Sequence, residues 1–295
     1  MSIPVMLALS MSMSLFGSIS RKVFAQNTTG SAAGIFWLSS ICSAMSALVL
    51  ALMAGFSQAS LFTWLLGVAF GIVNMLQTVT QMKALEIGPM SYTMVMVYCS
   101  TVVSAISGAL IWNEQIQIAH VIGIVLMLIS FVLAVKKQPG EKAVSLKWLL
   151  LSLGAFAATG AIGVMQKLHQ STPHKGELNE FLVIAFGTAT VLSAAYLLIM
   201  AGKKQLKPAQ QTKKVQWLLL GIMVLSGVSG ALCNQWNLYL SGVMDSAVFF
   251  PLVNGGGLVL TTLAAVVIFK EKLSRQQWLG IAFGIASVIF LCNPF

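Results

Sequence analysis

Ten apolar runs follow one another with short polar connections, at residues 3–20, 32–55, 61–82, 89–111, 118–135, 146–166, 178–201, 216–238, 246–269 and 276–291. A helix rises 1.5 Å per residue, so most of these runs can cross about 30 Å of hydrocarbon, and the shortest lies near the limit. Inside hydrocarbon the backbone must satisfy its own hydrogen bonds, and apolar runs of this length predict helices rather than a barrel. Only 8% of the residues are charged and the mean hydropathy is +0.89. A soluble domain carries about 25% charged residues, so this chain could not cover a soluble surface. The expectation is an all-α polytopic membrane protein with ten transmembrane helices and no soluble domain.

The net charge of +10 does not mark a nucleic-acid binder. The basic residues lie in connections between apolar runs, where they orient a membrane protein. Of the 17 Lys and Arg, all but Lys167 and Lys175 fall in odd-numbered connections. The positive-inside rule then puts the odd connections in the cytoplasm and both termini outside the cell, in the inner or plasma membrane. The first basic pair, Arg21 and Lys22, follows the first apolar run instead of preceding it. That order predicts a first spanning helix and not a cleavable signal peptide. The four cysteines, Cys42, Cys99, Cys233 and Cys292, all sit in apolar runs, where cysteine behaves as a small hydrophobe.

The chain also repeats itself. A charged hinge, Lys270-Glu271-Lys272-Leu273-Ser274-Arg275, separates the last two runs, and a weaker copy, Trp112-Asn113-Glu114-Gln115, stands between runs four and five. Glu114 aligns with Glu271, and Gly123-Ile124 aligns with Gly280-Ile281 nine residues on. Trp64-Leu65-Leu66 opens run three as Trp217-Leu218-Leu219 opens run eight, and Lys22 matches Lys167. Five runs per copy force the copies to insert upside-down relative to each other. The expected organisation is two five-helix inverted repeats, residues 1–138 and 145–295.

Ten runs, this duplication and the pattern around Ala247, Pro251, Glu271, Ser274, Gly280 and Gly284 resemble the drug/metabolite transporter superfamily, in its EamA-type branch. The resemblance covers essentially the whole chain. The first copy departs from the pattern, with no proline inside run four and a hinge continuing Asn-Glu-Gln-Ile-Gln. The resemblance implies alternating access around a central cavity lined by runs one, three, four, six, eight and nine. It also implies a small organic metabolite as cargo.

Polar side chains within apolar runs are costly and tend to face a cavity or a partner helix. In run three, Asn74, Gln77, Thr78 and Gln81 share one helical face. Run eight holds Asn234, Gln235, Trp236 and Asn237, with Asn234 aligned on Gln81. Run nine carries Pro251, Asn254 and three consecutive glycines from Gly255, a composition that weakens a helix and frees carbonyls. Tyr92, Tyr98 and Ser100 occupy the matching part of run four, which reads as less broken. Substrate binding is therefore expected at Asn74, Gln77, Gln81, Tyr98, Asn234, Trp236, Pro251 and Asn254. The competing readings are interhelical hydrogen bonds for the amides, an interfacial belt for Trp236 and tight packing for run nine. Gly123, Gly280 and Gly284 are expected to pack runs five and ten together. The serines of run one, Ser10, Ser12, Ser14 and Ser18, can bond their own helix, and Lys22 and Lys167 are expected to snorkel to the headgroups.

None of the seven acidic residues sits in the middle of a run. That opposes a proton-coupled exporter of lipophilic cations, which needs a buried carboxylate. Glu114 and Glu271 are expected to favour the positive ends of the helices that follow them. His169, His174, Glu177 and Glu180 have poor spacing for a metal site, and no nucleophile is paired with a base, so neither a metal, a cofactor nor catalysis is expected. The amide-rich, uncharged lining suggests a neutral or zwitterionic, amino-acid-like solute, probed against two alternatives: an organic-cation exporter and a non-transport scaffold. The expected partners are that solute and the lipid bilayer. A monomer suffices, because one chain supplies both copies, and a homodimer is the alternative.

Overall fold

A computed structural model describes residues 2–27, 32–54, 58–87, 90–134, 145–202, 213–269 and 273–292. The Lys270-Glu271-Lys272 part of the second hinge lies outside the described residues, as do the side chains of Ser18, Lys22 and Tyr92. The order of elements is α1 (Ile3–Asn27), α2 (Ala32–Ala54), α3 (Leu61–Ile87), α4 (Met90–Cys99), α5 (Thr101–Trp112), α6 (Ile118–Ala134), α7 (Leu146–Gln170), a 3₁₀ turn (Pro173–Gly176), α8 (Leu178–Gly202), α9 (Lys213–Val243), α10 (Ser246–Phe269) and α11 (Arg275–Cys292). Among the described residues, 8 helical stretches are long and apolar enough to cross a membrane, and two shorter apolar ones, Ile3–Gly17 and Ile118–Leu133, accompany them.

Two compact units form, residues 1–75 with 172–239 and residues 76–171 with 240–295. Each draws on both halves of the chain, and the boundary falls inside α3 and α9.

In the first unit, α8 packs against α2 and α3. Gly67 and Gly71 of α3 stand against Ile184 and Thr188, and Phe70 meets Phe181 edge-on at 5.3 Å. The Phe36 ring of α2 lies tilted against that of Tyr196, with centroids 4.1 Å apart. The helix α2 also meets α9, where Leu38, Leu219 and Met223 form a buried cluster. Ser46 donates to the Gly227 carbonyl at 2.7 Å. The serines of α1 divide. Ser12 bonds its own helix at Ala8, whereas buried Ser10 donates across to Asn237 of α9.

In the second unit, α6 lies along α11 with small residues at the seam. Ser287 donates to the Gly123 carbonyl at 2.6 Å and Ser130 to the Gly280 carbonyl at 2.7 Å. A side chain on Gly123 would strike Leu291, and one on Gly284 would strike Val259 and Ser130. Met127, Phe131 and Leu291 fill the core beside this seam. The helix α11 starts with a reciprocal cap: the Ser274 N–H donates to the Gln277 side chain at 3.0 Å and the Gln277 N–H donates to Ser274 Oγ at 3.3 Å.

The sequence places the weak point in the wrong helix. The helix α10 runs unbroken through Pro251 and the glycines, while the preceding copy is interrupted at Ser100, between α4 and α5. There the Ser100 N–H bonds Val97 at 3.2 Å and the Val103 N–H bonds Ser100 at 2.9 Å, the tighter i to i+3 pattern. The first of the three glycines explains the difference. Gly255 brings the α10 backbone against Met127 so closely that a β-carbon would overlap its sulfur. Tight packing holds the helix together where composition alone predicts fracture.

Inserting a leucine at Gly284 should cost about 1–3 kcal/mol by overpacking the α6–α11 seam. Gly257→Ala, with open space around it, should be neutral or stabilise by about 0.5–1 kcal/mol. Thermal unfolding of both variants in detergent measures the contrast, and equal shifts would remove the seam's claimed tightness.

Candidate functional site

The helix α5 ends on Asn113, whose φ of 53° is left-handed, a conformation asparagine tolerates better than most residues. The Glu114 N–H then closes back on the Gly108 carbonyl at 3.1 Å. This turn throws the Glu114 carboxylate inward over Gly108, and any β-carbon there would collide with it. Glu114 therefore does not serve α6, the helix that follows it. It reaches the start of α10, accepting the Ser246 N–H at 2.7 Å. Lys167, in the last turn of α7, meets the same carboxylate at 2.6 Å, and both side chains are only 9% exposed. The lysine's ammonium also donates to the Met244 carbonyl at 2.9 Å. One buried ion pair thus clamps the turn between α9 and α10, with the cation at the carbonyl end of one helix and the anion at the amide end of the next. Snorkelling does not describe Lys167: its ammonium has a carboxylate and a carbonyl within reach inside the protein. Gln166, His169 and Gln170 are buried on the same turn of α7.

Further along the second unit, Asn254 donates to the Thr101 hydroxyl at 2.9 Å. Thr101 is the first residue of α5, immediately after the interruption at Ser100, and Asn254 lies one turn beyond buried Pro251 on α10. The interrupted helix and the proline-bearing helix therefore meet through an uncharged polar pair. Gln77 donates to Gln81 at 2.7 Å, one turn apart on α3 as their shared face requires. Tyr98 turns its half-buried ring toward Phe131, with centroids 5.4 Å apart.

The remaining expected residues lie in the first unit. Asn74 is half-buried on α3. Asn234 donates to the Gly230 carbonyl of its own helix, and Trp236 is half-buried beside it. The cross-helix bonds of α9 come instead from its other amides: Gln235 donates to Asn179 at 2.8 Å, and Asn237 accepts from Ser10. At the end of this unit Glu177 accepts both the N–H and the hydroxyl of Ser60, the residue before α3, at 2.8 and 2.7 Å. His174 stands 3.2 Å from the other oxygen and stacks on Phe62. Burial pushes the Glu177 carboxyl up, but the bonds from Thr63, Ser60 and His174 outweigh it and hold the group at about 2. Among the described residues, no three His, Cys, Asp or Glu side chains come together as metal ligands.

Sequence reasoning paired Lys167 with Lys22 and Glu114 with Glu271 as repeat equivalents but did not join lysine to glutamate. The recurrence of one lysine and one glutamate in each copy was the available signal. Thr101 carried no signal of its own, since a threonine inside an apolar run commonly bonds its own helix.

Among the described residues, these features define an all-helical, multi-pass membrane protein. The sequence profile of the EamA-like transporter family matches residues 1–136 and again 146–293, and the chain belongs to that family. A protein of Haemophilus influenzae described as an uncharacterized protein is 28% identical over 189 residues, which span 62% of this chain and 59% of that relative. A crystal structure with 17% identity superposes with a TM-score of 0.76 over 98% of this chain and 96% of its own, a likeness of fold.

Removing one partner of the buried pair, by Lys167→Met or Glu114→Gln, should cost about 3–5 kcal/mol, because the other charge is stranded. The double variant Lys167→Met/Glu114→Gln should recover much of that loss, and a double-mutant cycle in detergent reads the coupling. Simple additivity would show that the two groups do not act together. For Glu177 the folded carboxyl lies below its ordinary value of 4.5, so its contribution is present above that value and fades as pH falls toward about 2. The stability difference between the native chain and Glu177→Gln should therefore shrink between these limits, and a pH-independent difference would contradict the assignment.

Proposed function

We propose that this chain is a ten-span inverted-repeat transporter that moves a small neutral or zwitterionic metabolite, amino-acid-like in its polarity, out of the cell by alternating access. The observation that carries the reading is the Asn254–Thr101 pair at the interruption of α4 and α5. A helix interrupted within a membrane leaves backbone groups that neighbours, water or a solute must satisfy. Transporters of this architecture often place their substrates at such interruptions. The groups nearest this one are a hydroxyl and an amide, which both donate and accept, so they suit ammonium, carboxylate and carbonyl groups alike. Gln77 and Gln81 add two more amides, and Tyr98 and Pro251 stand within a few residues of the interruption and of Asn254 along their own helices. Asn74, Asn234 and Trp236 of the other unit are likewise proposed to bind substrate.

In this reading the two family matches are the two repeats, inserted in opposite senses, in the cytoplasmic membrane. The shorter apolar helices count as spans, and the Lys and Arg distribution puts both termini outside. A monomer is sufficient for transport, and the chain acts on its cargo without chemical change.

A thermal-shift screen of the purified protein should find its hit among amino acids or similarly neutral solutes. A ligand at about 100 times its dissociation constant adds about 2.7 kcal/mol. Asn254→Ala should abolish that shift while the unliganded protein stays folded. A hit confined to lipophilic cations, or one indifferent to Asn254, would defeat the proposal. Reporter fusions at both termini and in the 203–212 connection test the orientation, with the termini expected outside and the connection inside.

A further inference from the structure

The first unit contains a cleft of about 480 Å³ where α2 ends and α3 and α8 begin. Its size falls within the range of small-molecule sites. We propose that it binds the headgroup of a phospholipid bearing a primary ammonium, a phosphatidylethanolamine, with the start of the acyl region below.

Helix boundaries set the depth. Ala54 is the last residue of α2, Gln58 lies in the connection, and Trp64 and Glu180 occupy the first turns of α3 and α8. Residues at the ends of spanning helices lie at headgroup level, where tryptophan is enriched. One turn further in, Ala51, Val183 and Ile184 continue the wall. A turn is about 5.4 Å, so the lining passes from polar to apolar over the distance that separates a headgroup from its chains. The cleft owes its room to alanines, since Ala51, Ala54 and Ala59 leave space that larger residues would fill.

Charge selects the headgroup. Glu180 brings a carboxylate, Gln58 an amide, and Trp64 an indole, and none of the described lining residues is basic. A carboxylate beside an indole favours a cation, through an ion pair and the ring's electron-rich face. A primary ammonium offers three N–H donors to the carboxylate and the amide oxygen. A choline headgroup has none, and a phosphatidylglycerol brings only negative charge to a carboxylate. The cleft is thus built separately from the amide pair of the second unit, and the proposal stands or falls apart from the choice of transported solute.

The test is lipid retention. The full chain is placed in nanodiscs of equal phosphatidylethanolamine and phosphatidylglycerol, extracted in mild detergent, and the lipids that stay bound are counted by native mass spectrometry. Phosphatidylethanolamine should be retained about ten-fold over phosphatidylglycerol, the factor that one charge-assisted hydrogen bond supplies. Glu180→Gln should erase most of that preference while the protein stays monodisperse, and an unchanged preference would overturn the proposal. Should the variant fail to fold, a photoreactive phosphatidylethanolamine is cross-linked to the native chain instead. Adducts on residues 51–64 or 180–184 support the site, and adducts confined to other segments overturn it. Retention of tetraphenylphosphonium with no preference between the two lipids would also overturn it, because the cleft would then be a site for free cations.

Discussion

A polar group inside hydrocarbon has only its neighbours to bond with, and this single condition orders the whole molecule. Helices satisfy the backbone internally, which leaves their ends, their interruptions and their polar side chains to be matched one by one. The clearest case is the Glu114–Lys167 pair. Two ionised groups out of water are expensive unless every remaining lone pair and proton is met. Here the carboxylate takes the Ser246 amide and the ammonium takes the Met244 carbonyl, so two charges also close two open helix ends.

The same economy recurs with weaker groups. Ser130 and Ser287 donate to carbonyls on the facing helix across the α6–α11 seam, and Ser46 does so between α2 and α9. Each hydroxyl is short enough to let the helices touch. Trp148, on α7, sends its indole N–H to Thr93 of α4 at 2.8 Å, so even a large aromatic is anchored by its polar tip. Asn254 and Thr101 differ from these in position. They sit where α4 and α5 are interrupted, and they join that interruption to α10.

Pro251 with its glycines and Ser100 carry a lesson about composition in membranes. Proline and glycine lower a helix's own preference, but in a packed bundle the neighbours decide. Met127 presses on Gly255 and leaves α10 no room to open. Ser100, a residue with no strong preference, sits where two i to i+3 bonds tighten the chain. The compact units likewise ignore the order of the duplicated halves, because contacts follow helix faces and not sequence neighbourhood.

What the sequence determined by itself is what hydrophobicity and repetition can express: a helical, multi-pass membrane protein, the approximate limits of its helices, the small residues of α6 and α11, and a likeness to a transporter family. These depend on local composition and on periods within a single helix. What only the tertiary structure decided is which polar groups face each other. Nothing local says that Glu114 serves α10 instead of α6, that Lys167 stays inside, or that Asn254 meets Thr101 across 153 residues of chain. Those pairings depend on the orientation of one helix against another, which is set by packing of side chains distant in sequence and leaves no periodic trace along the chain.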